Sequence, residues 1–144
     1  MSDQTVKQIV PAALLLHGLG HGGALIAIIW IQNRPGTGTG GWHAGRSWLL
    51  PSLSARTATT VASIFWILAL CGFVAAALSL WRIFLPGDAW RSVAVTSAIV
   101  SIVGILLFFG TWPAFNTAVA LGMNVAVLVA LLWLRWPSQA MLGK

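Results

Sequence analysis

The chain has 144 residues, 58% of them hydrophobic and 7% charged. A soluble domain carries about a quarter charged residues, so this composition excludes a secreted soluble enzyme and a disordered chain, and the single cysteine, Cys71, excludes a disulfide scaffold. Lys and Arg number 8 against 2 acids, Asp3 and Asp88, but the bases stand singly rather than clustered, which fits membrane orientation and not a nucleic-acid face.

Three intervals carry no charge: 8–33, 57–81 and 92–134. A membrane-crossing helix needs about 20 mainly apolar residues. The first interval predicts one span over 9–31. It is too long for a signal-peptide core, and no small-x-small cleavage site follows, so it reads as a retained helix. The second interval predicts a span over 58–83. The third is too long for one helix and is broken by Gly110-Thr111-Trp112-Pro113. Proline is tolerated in a first turn and disrupts an interior. This predicts spans over 90–109 and 113–134. The fold class is therefore an all-α membrane protein, an antiparallel bundle of four transmembrane helices in a single domain 1–144. The runs are continuous rather than alternating, which disfavours a β-barrel.

Four spans place both termini on one side. That side collects Lys7, Arg82, Arg91, Arg135 and Lys144, and the other has Arg34, Arg46 and Arg56. The excess of bases predicts cytoplasmic termini. Of the nine tryptophans, Trp30, Trp81, Trp90, Trp112, Trp133 and Trp136 fall near predicted helix ends, as an aromatic belt requires. Trp66 lies inside the second span and faces either lipid or the bundle.

The one long connection, 32–57, begins with a glycine-rich linker, Gly36-Thr37-Gly38-Thr39-Gly40-Gly41. No Gly-Lys-Ser/Thr follows, so it is not a phosphate loop. The next stretch, Trp42–Pro51, holds two Trp and two Leu beside Arg46. It is expected to lie on the membrane surface or to fold over the bundle mouth. His43 and Ser47 are close in sequence, but no acid is near to orient the histidine. Arg46 and Arg56 read as solvated or snorkelling side chains, with an anionic headgroup as the functional alternative.

The richest chemistry lies in His17-Gly18-Leu19-Gly20-His21-Gly22-Gly23, at the centre of the first span. Each glycine there costs about 1 kcal/mol of helix stability relative to alanine in water. Histidine at hydrocarbon depth is expensive unless it faces protein or water. His17 and His21 are one turn apart and share a face. Gly18 and Gly22 form a GxxxG step for close helix approach, while Gly20 and Gly23 could leave room for a ligand. At similar depth stand Cys71 in the second span, Ser97 and Ser101 in the third and Asn124 in the fourth, with Asn116 nearer the loop side. Facing inward, these would make one polar layer at mid-membrane.

That layer has a structural reading, in which the polar side chains bond across helices and fix packing. Such bonds average only about 0.6 kcal/mol each in membranes. The functional readings begin with a small apolar or quinone-like ligand held among His17, His21, Cys71, Ser101 and Asn124. A metal on His17 and His21, completed by Cys71 or Asn124, would suit copper or zinc but lacks strong ligands. Haem gripped by both histidines is ruled out, because they lie one turn apart on one face; single-histidine haem stays open. A proton relay or a cation pathway would normally add an intramembrane carboxylate, and this chain has none. Cys71 has no adjacent cation to make it a thiolate and reads as a small buried apolar residue.

His17-Gly18-x-Gly20-His21, then Gly45-Arg46-Ser47-Trp48, then Trp112-Pro113 resemble a group of small bacterial four-helix membrane proteins with no assigned activity. The layout is also similar to DoxX-like proteins, although none of their distinctive motifs is matched. The resemblance implies a bacterial inner-membrane protein and transfers no activity or cofactor. The MAPEG glutathione-linked enzymes share the size and helix number but carry charges within their helices, unlike this chain. The sequence thus points to a ligand-binding membrane protein whose partners are the lipid bilayer and a second copy or a membrane complex, with no nucleic acid. The alternatives are an accessory subunit without a ligand, and a membrane enzyme or transporter.

Overall fold

The computed structural model describes residues 2–32, 46–83 and 86–143, the side chains of 30–32 excepted. Four long helices and no strand occur among the described residues: α1 Asp3–Gln32, α2 Ala55–Leu80, α3 Trp90–Leu107 and α4 Ala114–Leu128. A π-helical turn, Val129–Trp133, extends α4, and a short 3-10 turn, Ala140–Leu142, follows. All four helices contain windows long and apolar enough to cross a membrane, which makes this a multi-pass membrane protein.

The helix ends follow local chemistry that hydropathy does not register. α1 starts at Asp3, earlier than the expected 9, because the Ser2 hydroxyl accepts the Thr5 amide at 3.3 Å and Asp3 complements the positive end of the helix dipole. Pro11 lies inside α1 and is buried. α2 starts at Ala55 rather than 58, capped by Ser54, whose hydroxyl accepts the Thr57 amide at 3.1 Å. It stops at Leu80 instead of running to 83. There Arg82 takes a left-handed conformation, φ 60°, and the Ile83 and Arg82 amides return to the Leu78 and Ser79 carbonyls, a Schellman ending. At the end of α4, Arg91 donates to the carbonyls of Leu131 and Pro137, each at 2.7 Å. A cation thus meets the negative end of that helix.

Packing runs in sequence: α1 on α2, α2 on α3, α3 on α4. Small residues set the α1–α2 and α2–α3 distances. A Cβ on Gly18 would meet Phe73 Cβ at 3.0 Å and the Leu70 carbonyl oxygen at 3.3 Å, and one on Gly72 would fall onto Ser97 Oγ. Two apolar clusters result. One, toward the chain termini, gathers Val10, Leu14, Phe73, Trp90 and Ala98. The other, toward the 46–54 segment, gathers Ile28, Ala62, Trp66, Ile105 and Phe108. α1 and α4 form no packed interface of comparable extent, and α4 is the least buried of the four helices. Asn124 is the one buried residue of α4.

Candidate functional site

Four polar side chains from three helices meet at the junction of the two apolar clusters. Asn124 is the hub. Its Nδ2 donates to the Ala120 carbonyl at 2.9 Å and to Ser101 Oγ at 2.7 Å. Its Oδ1 lies 3.0 Å from His17 Nε2, and Ser101 Oγ lies 3.2 Å from His21 Nε2. Ser101 and Asn124 are fully buried. Each of these four side chains has a hydrogen-bond partner within the group, which is what makes their burial tolerable.

The helix pattern explains the assembly. His17 and His21 share one face of α1, and Ser101 and Asn124 each present the one inward position at that height. The rings of Trp66 and Phe73, two turns apart on α2, both lie near-parallel to His21, at 5.8 Å and 6.0 Å between centroids. His17 meets Phe73 edge-on at 4.5 Å. Trp66 therefore faces inward, 3% exposed, and its buried indole N–H has no hydrogen-bond partner among the described residues. Leaving such a donor unsatisfied costs about 1–3 kcal/mol.

Cys71 is a correction. It lies at the right height but on the outer side of α2, where it is exposed, so it neither joins the polar group nor sits as a buried apolar residue. Ser97 is inward but bonds back to the Val93 carbonyl at 2.7 Å under Gly72 and stays outside the network. Among the described residues no group of three or more His, Cys, Asp or Glu could hold a metal ion, and both histidines turn Nε2 toward Asn124 and Ser101.

Beside the network opens a cleft of about 460 Å³ between α1 and α4. His17, His21, Gly20 and Gly23 form its α1 wall. Val119, Ala120 and Met123 form its α4 wall, with Trp66, Ile105 and Phe108 behind and Asn116 toward the loop side. The glycine motif divides its work. Gly18 and Gly22 face α2, where a Cβ on Gly22 would meet Leu70 at 3.6 Å, whereas a Cβ on Gly20 or Gly23 would have nothing within 4 Å. The cleft exists because two glycines stand where side chains would fill it and because α4 does not close onto α1.

The loop reading divides at residue 46: His43 and the glycine linker lie outside the described residues. Ser47 donates to the Leu107 carbonyl at 2.6 Å, accepts the Leu50 amide at 3.1 Å, and is buried. Trp48 Nε1 donates to the Leu106 carbonyl. These two side chains satisfy carbonyls that the end of α3 leaves open. The Ser47 hydroxyl is thus committed to holding the segment on α3 and is not part of the cleft wall. Ser47→Ala is expected to loosen residues 46–53 by about 1 kcal/mol and to speed proteolytic cutting there, with the rest of the fold unchanged. The enzyme reading needed His43, Ser47 or Arg46 in the cleft; Arg46 and Ser47 do not line it, and His43 lies outside the described residues.

Compared with protein-family models, curated proteins and solved structures, the chain matches none.

Proposed function

We propose that this protein binds a small apolar molecule in the α1–α4 cleft, entering sideways from the bilayer. The observation that carries the proposal is the open α1 wall: Gly20 and Gly23 leave space where any other residue would project, next to His17 and His21. An apolar cleft with a few convergent polar groups is the usual form of a small-molecule site. In this reading the four helices cross a bacterial inner membrane as an antiparallel bundle with cytoplasmic termini. The orientation rests on five bases against three, and the bacterial membrane rests on the resemblance. The glycines divide between the readings: Gly18 and Gly22 pack on α2, as the accessory-subunit alternative expects, while Gly20 and Gly23 border the cleft beside His17 and His21, as the ligand reading expects.

Native mass spectrometry of protein released gently from its membrane tests this. The expected result is a one-to-one small-molecule adduct on the wild type that is absent from Gly20→Leu. Filling the site with a side chain costs overlap energy that weakens binding about 10–100-fold. Bare protein in both samples, or an adduct unaffected by Gly20→Leu, would overturn the proposal.

A further inference from the structure

The hydrogen-bond network dictates which polar group the cleft can receive; this inference rests on the binding reading above. The Asn124 amide has only one workable orientation. Turned over, its oxygen would face the Ala120 carbonyl oxygen, 2.9 Å away, two acceptors without a proton between them. Both Nδ2 protons are therefore spent, on Ala120 and on Ser101. Asn124 Oδ1 is then an acceptor, so His17 Nε2 must donate to it. Ser101 Oγ accepts from Asn124, and among the described residues the acceptor within reach of its own proton is the lone pair of His21 Nε2. The chain of donors runs in one direction: His17 to Asn124, Asn124 to Ser101, Ser101 to His21.

A neutral imidazole has one N–H and one lone pair. His17, protonated at Nε2, keeps a lone pair at Nδ1. His21, accepting at Nε2, carries its proton at Nδ1. Neither Nδ1 has a hydrogen-bond partner among the described residues, and neither belongs to the buried unpartnered atoms. Both residues line the cleft. The two imidazoles are neighbours, edge to face with centroids 5.2 Å apart, so a single polar group in the cleft lies beside both rings.

We infer that the ligand is an apolar molecule bearing a hydroxyl group, whose oxygen accepts from His21 Nδ1 and whose proton goes to His17 Nδ1. A hydroxyl is the small group that supplies one donor and one acceptor at a single atom. A carbonyl or ether would use His21 and leave the His17 lone pair without a donor. A hydrocarbon would use neither.

The test has two readouts on the wild-type protein. In 15N NMR of histidine-labelled protein without added probe, His17 is expected to be protonated at Nε2 and His21 at Nδ1. Binding is then measured for 4-octylphenol, its methyl ether and octylbenzene, with Gly20→Leu as the control that identifies cleft binding. The phenol is expected to bind about tenfold tighter than the hydrocarbon, with the ether between them, as hydrogen bonds of this kind are worth that factor. Phenol binding should shift both histidine Nδ1 signals. Equal binding of all three probes, or an ether as tight as the phenol, would overturn the hydroxyl inference while leaving the apolar cleft standing. The opposite tautomers would do the same. No Gly20→Leu-sensitive binding of any probe would overturn the binding reading itself.

Discussion

Asn124→Asp is expected to cost the protein about 3 kcal/mol of stability, the translocon-scale cost of an acidic side chain at mid-membrane. The two side chains have the same shape, so packing is not the cause. An ionised aspartate cannot donate, and it would set oxygen against the Ala120 carbonyl and withdraw the proton from Ser101 Oγ. A protonated aspartate would restore only one of the two donated bonds. Asn124→Leu is expected to be milder, about 1–2 kcal/mol, because it removes two interhelical bonds at roughly 0.6 kcal/mol each and leaves the His17 N–H without a partner. Thermal unfolding in one fixed detergent gives both values. Equal losses for the two variants would mean that the hydrogen-bond directions assigned to Asn124 are wrong.

The second large effect separates glycines two residues apart. Gly18→Leu is expected to destabilise by about 3 kcal/mol, since the new side chain must displace Phe73 and the Leu70 backbone carbonyl. The carbonyl belongs to a helix and has no room to give. Gly20→Leu faces open space and gains helix propensity, so its stability is expected to stay level or rise, by up to about 1 kcal/mol. The same Gly20→Leu protein is expected to lose its ligand. Stability and binding thus move apart at Gly20 and fall together at Gly18. A Gly20→Leu protein that fails to fold would place that face against a helix and remove the cleft.

The helices were legible because the intervals without charge are long and the Gly110–Pro113 break is strong. Their ends were not. Ser2 and Ser54 begin helices inside polar sequence, so a search for apolar windows starts too late, and Arg82 ends α2 in a conformation usually left to glycine. The polar group shows a similar division. Spacing within one helix identifies faces, which is why His17 and His21 could be paired. Depth across helices identifies height but not direction. Ser101 and Asn124 turn inward, while Cys71, at the matching height, turns outward; its small apolar side chain is at home on either face. The inward aromatic pair, Trp66 and Phe73, carries a signal in its seven-residue spacing, two turns on one face of α2. The cleft left no sequence trace beyond Gly20 and Gly23, because it also depends on α4 standing away from α1.

The proposed binding reading has the α1–α4 cleft taking up an apolar molecule from the bilayer. Its most direct test is photolabelling in membranes with an alkyl diazirine, the labelled residues being mapped by peptide mass spectrometry. Saturable labelling is expected, centred on residues 20–24 of α1 and 119–123 of α4 and abolished in Gly20→Leu. Labelling that never saturates, and that marks Ile64, Leu68 and Cys71 on the outer face of α2 as strongly as the cleft walls, would contradict it.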